Sequence, residues 1–385
     1  MYNKCLLDEM VNKFDSPIYL YDTSEIEKQI MKLKYTLGKN IEIAYSIKAN
    51  PNTQLVKFIA SKVYHADVVS IQEIKVALAN GFLPENLLFI GPVKKEREIC
   101  EAIKLGVQYF VCESKEEVQI INKYSKSKCK IILRINPKMG NRKAGIQMTG
   151  KASKFGIDED KIIPTIRDIL KLKKVNFVGL HMYIGTQILD ASTIIENFEY
   201  LIMFFLKCEK EIGVEFPFLG FGGEYGIPYY ENEKEIDLEY MKIRIEFLLH
   251  KYPSILNKKV VTESGRFLVG TCGSYIMRVQ RVKESIGHFY AITDGGLNHH
   301  SAACGIGRFV RRSFPLYAPK KVEKRDMTYE IVGRLCTPMD SFGIHKNLPI
   351  LNSGDILVIP NAGAYCINMS PLQFLGFPAP NEIVV

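Results

Sequence analysis

Four groups of residues in this chain have the types and spacing to do chemistry. The first is Lys48 in "IEIAYSIKANPN", where Ile41, Ile43, Tyr45 and Ile47 alternate with Glu42, Ala44 and Ser46 until the turn signal Asn50-Pro51-Asn52. Taken alone, such a lysine reads as an exposed strand end. Held inside a barrel mouth, it is desolvated, its pKa falls, and its amine becomes a nucleophile suited to a Schiff base. The second group is the glycine-rich "GFGGEYGIPY", residues 220–229. Glycine turns after strands let backbone N–H groups approach a phosphate, although tight-turn duty uses the same residues. The third is "TESGR", residues 262–266, with Glu263 and Arg266 three apart; a local ion pair is the plainer reading. The fourth is His181 in "GLHMYIGTQ", followed by Gly185 and Thr186, and a lone histidine is otherwise structural.

One ligand would use all four. Pyridoxal 5′-phosphate has an aldehyde for the lysine and a phosphate for the glycine turn. A carboxylate can keep its pyridine nitrogen protonated, and an imidazole can lie on its ring.

These residues need elements to position them. From residue 17 to 266, β-branched or aromatic runs ("IEIAYSIKA", "VYHADVVS", "LLFIGP", "YFVCES", "KIILRINP", "NFVGLHMYI", "EFPFLGFGG", "VVTESGR") alternate with helical patterns such as "TQLVKFIASK" and "LEYMKIRIEFLLHKY". Strand–helix alternation means parallel strands with crossover helices. Eight units over about 250 residues predict an α/β fold with a closed (β/α)8 TIM barrel; an open doubly wound sheet is the competitor. A barrel places function at the C-terminal strand ends. The polar residues fall there: Lys48, Asp67 and Ser70, Arg134 and Asn136, His181, Gly222-Gly223, then Glu263 and Arg266. Beyond residue 266, "GSYIMRVQRVKES", "HFYAITDGG", "MTYEIVGRLC" and "GDILVIPNAGAYC" read as strands of a β-rich domain.

The bulk numbers agree. A chain of 385 residues fits two domains. Nine cysteines, odd in number, scattered and without C-x-x-C, argue against a disulfide framework and a zinc site. The net charge of +9 is spread along helical segments, which predicts a lysine-rich surface rather than a nucleic-acid groove and suits an acidic partner or substrate. No apolar run reaches the roughly 18 residues of a membrane span, and the N-terminus lacks a secretory core, so a cytoplasmic protein is expected.

In order along the chain, "YSIKANPN", "DVVSIQE", "HMYIGTQ", "GFGGEYGIPY", "ESGR", "GRLCTPMD" and "GAY" resemble the fold-type III pyridoxal-phosphate decarboxylases, the family of diaminopimelate and ornithine decarboxylases. The motifs span nearly the whole chain, and it is the ordered set that is specific. The resemblance implies an alanine-racemase-like barrel over residues 26–266, with residues 1–25 and 267–385 forming the β-rich domain. It implies that Lys48 carries the cofactor as a Schiff base, that His181 stacks on the ring and that Glu263 pairs with the pyridine nitrogen. Gly222, Gly223, Thr186, Arg266 and Tyr365 would hold the phosphate, and Asp67 and Arg134 would line the floor. Cys336 matches a cysteine that reaches the partner subunit's pocket and returns a proton to Cα, and Asp340 an aspartate of the same loop. A homodimer with shared active sites follows.

The chain departs from the family at several places. Glu224 replaces the third glycine of the turn, so its side chain must turn away from a phosphate. Ser264 replaces a proline. Thr337 stands where diaminopimelate decarboxylases carry glutamate and ornithine decarboxylases aspartate, acids that read a distal amino group. Ser313 stands where an arginine four residues before Tyr317 would bind a distal carboxylate, with Arg311 and Arg312 next door. Losing a dedicated partner for a buried charge costs several kcal/mol. The stretches "GIQMTGKASKFGID", "DGGLNHHSAACG", "CTPMD" and "MSPLQFLGFPAPNE" resemble a specialised subgroup acting on siderophore intermediates or on amino acyl groups linked to a carrier protein. His299 and His300 read equally as substrate contacts or turn residues. A housekeeping diaminopimelate decarboxylase is the alternative. An amino-acid racemase fits less well because "KANPN" and the Cys336 loop resemble decarboxylases, and a non-catalytic relative because Lys48 and Cys336 are both present.

Overall fold

Eight parallel strands close into a ring: Ile41–Ser46, His65–Val68, Leu87–Phe89, Tyr109–Cys112, Cys129–Asn136, Val175–Met182, Phe218–Phe221 and Lys259–Ser264, here the first to eighth barrel strands. Each pairs with its neighbours in sequence, and the eighth returns to the first through Val261↔Glu42 and Glu263↔Ala44. The computed structural model describes residues 4–126, 128–138, 146–147, 152–305, 313–319 and 327–385. The closed barrel, rather than the open sheet, is therefore the fold.

Local sequence explains the elements. The strands are buried on both faces, which is why they read as apolar runs; Tyr109–Cys112 is buried throughout. Inward side chains including Ala44, Leu88, Val111, Ile132, Val178 and Val261 form one apolar cluster, a packed floor rather than a pore. Several helices start on local side-chain caps. Asn52 Oδ1 accepts Gln54 N–H at 3.1 Å. Ser70 and Ser114 accept the N–H of Glu73 and Glu117, both at 3.2 Å. Ser70, picked from the sequence as a strand-end polar residue, is thus spent on a helix N-terminus.

The chain divides into two units. The barrel unit comprises Glu27–Ile227 and Lys234–Leu268; the β-rich unit comprises Met1–Ile26, Pro228–Glu233 and Val269–Val385. The sheet of the second unit is mixed and centres on the long strand Gly273–Ser285, which pairs antiparallel with Ile18–Tyr21, His288–Thr293 and Ile356–Ile359. Its other strands are Met327–Val332, Ser341–Leu348 and Asn381–Val384. Sequence patterning misses Ile18–Tyr21 and Asn381–Val384, which are too short to show a period, and Ser341–Leu348, where Gly343, His345, Lys346 and Asn347 dilute the apolar signal. Among the described residues no helix is long and apolar enough to cross a membrane.

Candidate active site

Strand register gathers the candidate residues at one end of the barrel unit. The pairing of Ser46 with Asp67 brings the ends of the first and second strands level. Lys48 lies just past that point, on the single turn Ile47–Ala49 rather than in the strand. Its amine forms an ion pair with Asp67; the lysine side chain is 32% exposed and the aspartate fully buried. Burial pushes the Asp67 carboxyl up and nearby Glu263 adds to this, while the Lys48 charge and hydrogen bonds from Lys48 and Ser46 work against it.

Glu263 and His181 are the penultimate residues of the eighth and sixth strands, with His181 Nε2 2.8 Å from Glu263 Oε1. Burial opposes ionisation of Glu263, but His181, Lys48 and Arg134 outweigh it, so the carboxyl lies below the usual range. Arg134, paired in register with His181, bonds Glu113 Oε1 through Nη1 at 2.8 Å. Gly156 N–H donates to Glu113 Oε2 at 2.6 Å. The guanidinium packs 4.8 Å from the Phe155 ring centre and 5.7 Å from that of Tyr183.

The glycine turn follows the seventh strand. A Cβ on Gly222 would come within 2.2 Å of the Tyr183 ring, and one on Gly223 within 2.7 Å of the Glu263 carbonyl oxygen. Gly222 N–H donates to Met182 O at 2.8 Å and Glu224 N–H to Gly222 O at 3.0 Å. That leaves Gly223 N–H without a protein acceptor among the described residues. Glu224 points inward and away, as the chemistry of a phosphate-binding turn requires: it is buried and accepts Ile184 N–H at 3.1 Å and the Asn197 amide at 2.6 Å. Thr186 lies on a two-residue strand paired with Ile146. Arg266 opens the short helix Arg266–Val269.

The residues present fit pyridoxal 5′-phosphate. An amine, a carboxylate held ionised, an imidazole and an open N–H at a glycine turn share one end of one barrel. Buried polar atoms lacking a hydrogen-bond partner collect at the same strand ends: Asp67 Oδ1, Arg134 Nε and Nη2, His181 Nδ1 and Ser264 Oγ. Each such atom costs about 1–3 kcal/mol when left unpaired, so a polar ligand is favoured there.

The remaining candidates belong to the β-rich unit. Cys336 is an exposed thiol, while six other cysteines are buried. The Thr337 hydroxyl accepts Met339 N–H at 3.3 Å. Asp340 is buried, and its two oxygens accept Leu297 N–H at 2.6 Å and Leu335 N–H at 2.8 Å. Ser313 is exposed, and Tyr317 exchanges backbone hydrogen bonds with Val358 at 2.9 and 3.0 Å. Tyr365 has a left-handed backbone, φ 56°. His299 is buried against the Tyr275 hydroxyl and Pro378 O, and burial lowers its pKa. His300 is buried among aromatic rings. Arg311 and Arg312 lie outside the described residues.

Sequence reasoning missed Glu113, Tyr183 and Asn197. Glu113 follows the fourth strand in "YFVCES" and was visible to the strand-end rule that selected Lys48. Asn197 lies inside the helix Ala191–Ile212, where nothing local marks it.

Barrel, lysine and glycine turn together define a pyridoxal-phosphate enzyme of the barrel type. Residues 23–270 match the family model for the pyridoxal-binding domain of pyridoxal-dependent decarboxylases, and the chain belongs to that family. It is 32% identical to the L-glutamyl-[BtrI acyl-carrier protein] decarboxylase of Niallia circulans, over 97% of this chain and 90% of that protein. It is 28% identical to the 2-[(L-alanin-3-ylcarbamoyl)methyl]-2-hydroxybutanedioate decarboxylase of Staphylococcus aureus, over 95% and 93%. Among solved structures, the diaminopimelate decarboxylase of Helicobacter pylori complexed with L-lysine is 28% identical, with a TM-score of 0.87, covering 98% of this chain and 93% of that one.

Proposed function

We propose that this decarboxylase removes the α-carboxylate of a specialised amino-acid-type substrate, an amino acyl group linked to a carrier protein or a polycarboxylate siderophore intermediate, rather than of free diaminopimelate. The observation that carries this reading is at Thr337. Its hydroxyl accepts Met339 N–H, and Thr337 and Ser313 put uncharged side chains at the two positions where diaminopimelate decarboxylases carry a glutamate and an arginine. The names of the Niallia and Staphylococcus relatives, a carrier-linked glutamyl group and an alanine joined to a hydroxybutanedioate, support it. Diaminopimelate decarboxylation is the second reading, supported by the likeness to the Helicobacter structure.

On this reading the barrel domain, residues 26–266, carries the cofactor on Lys48. Asp67 and Arg134 would border it, His181 would lie on its ring, and Glu263 would keep the ring nitrogen protonated. Gly222, Gly223, Thr186, Arg266 and Tyr365 would hold the phosphate, and residues 1–25 and 267–385 form the β-rich domain. Pyridoxal phosphate, when bound, supplies the sink for the electron pair left when the C–CO2 bond breaks. The chain orients that bond, excludes water and returns one proton to Cα, a task assigned to Cys336. Ser313, Tyr317 and Thr337 are assigned to the distal end of the substrate, together with Arg312, which lies outside the described residues. The exposed Cys336 thiol suits a homodimer in which each copy completes its partner's site, within the cytoplasm.

The test is carbon dioxide release from the purified enzyme with diaminopimelate, ornithine, lysine, glutamate, carrier-linked glutamate and the alanyl hydroxybutanedioate compound. Turnover of one of the last two with diaminopimelate inert supports the proposal. Prompt turnover of diaminopimelate overturns it.

A further inference from the structure

Glu224 is a buried carboxylate one residue beyond the Gly222–Gly223 turn, and the chemistry above does not use it. Three separate pieces of the barrel unit meet on its side chain and backbone. Ile184, just past the sixth strand, donates its N–H to Oε1 at 3.1 Å. Asn197, in the helix Ala191–Ile212, donates its amide to Oε2 at 2.6 Å. The Glu224 carbonyl accepts Ile188 N–H at 3.0 Å, and Gly226 N–H returns to Ile188 O at 2.9 Å. The stretch from Gly222 to Gly226 is thus fastened to the stretch that carries Gly185 and Thr186. Asn197 Oδ1 is buried with no partner, so the amide has spare capacity facing this site.

We propose that Glu224 is a positioning residue for the cofactor phosphate: its carboxylate clamps the Gly222–Gly223 turn against the Gly185–Thr186 segment and so sets the spacing of the two halves of the phosphate cradle. This rests on the reading of that turn as the phosphate site. A clamp needs two acceptor oxygens held inward, which a buried carboxylate supplies. Alanine removes both. Glutamine keeps an acceptor for Ile184 N–H, and its amide can pair with Asn197 Oδ1 once Asn197 turns its amide over.

The experiment titrates full-length enzyme, stripped of cofactor, with pyridoxal 5′-phosphate and separately with pyridoxal, which lacks the phosphate, reading both dissociation constants by absorbance. Wild type is expected to prefer the phosphorylated form. Glu224→Ala should weaken pyridoxal 5′-phosphate about tenfold and change pyridoxal less than about twofold, while Glu224→Gln stays within about threefold for both. Asn197→Ala, which removes one contact only, should shift the same preference by about threefold and serves if Glu224→Ala does not fold. Equal weakening of both ligands, or no change in Glu224→Ala, overturns the proposal. A wild type that binds both ligands alike refutes the phosphate-cradle reading itself, and the proposal with it.

Discussion

His181 and Glu263 join across the barrel mouth, Nε2 to Oε1 at 2.8 Å, although the seventh strand runs between the strands that carry them. Gly220 on that strand makes this possible. It pairs in register with His181, and a Cβ there would sit 3.0 Å from the imidazole Cδ2. The contact keeps the Glu263 carboxyl ionised despite full burial.

Glu263→Gln tests what that ionisation does. The amide cannot hold a charge opposite a protonated ring nitrogen, so kcat should fall by about a hundredfold or more while cofactor affinity changes little. Steady-state carbon dioxide release, paired with a cofactor titration, reads the two effects. A kcat within about threefold of wild type contradicts the role.

Arg134 and Glu113 form a second buried pair, and Glu113 also accepts Gly156 N–H. Arg134→Ala strands the Glu113 charge and should destabilise the protein by about 3–5 kcal/mol in urea denaturation. Glu113→Gln keeps acceptor capacity and should cost less.

Glu224 makes stability depend on pH. Burial pushes its carboxyl up to about 7, against the pull of the Asn197 amide and Ile184 N–H. In the unfolded chain it titrates near the ordinary glutamate value, about 4.3. Between these values the folded protein keeps a proton that the unfolded chain has released. Stability from this group is therefore present at low pH and lost as pH rises towards 7. Glu224→Gln removes the dependence. Relative to wild type it should gain up to about 3 kcal/mol between about pH 5 and pH 8, measured by denaturant unfolding at each pH. A constant difference would contradict the assignment.

The barrel was legible in the sequence because parallel strands, buried on both faces, read as apolar runs between amphipathic helices. Lys48, Asp67, Arg134, His181 and Glu263 were legible because a polar residue closing such a run is conspicuous. What remained hidden depends on contacts distant in sequence. Asn197 meets Glu224 from the middle of a helix, and Asp340 bonds Leu297 N–H across 43 positions. The short strands Ile18–Tyr21 and Asn381–Val384 pair with each other in parallel from opposite ends of the chain, a partnership that no local pattern encodes.

Thr337 tests the substrate assignment. Thr337→Glu adds a carboxylate able to read a distal ammonium group and should raise kcat/KM for diaminopimelate by about tenfold or more, since a charge-assisted hydrogen bond is worth about 1.5–3 kcal/mol. No gain, measured by carbon dioxide release, contradicts a distal-reading role for this position.

The most direct measurement concerns Lys48. Borohydride treatment of the holoenzyme fixes the cofactor to the amine that carries it, and peptide mass spectrometry locates the added pyridoxyl group. The account predicts that the group lies on Lys48 and that Lys48→Ala acquires none. A pyridoxyl group on any other lysine, or persistent labelling of Lys48→Ala, would contradict it.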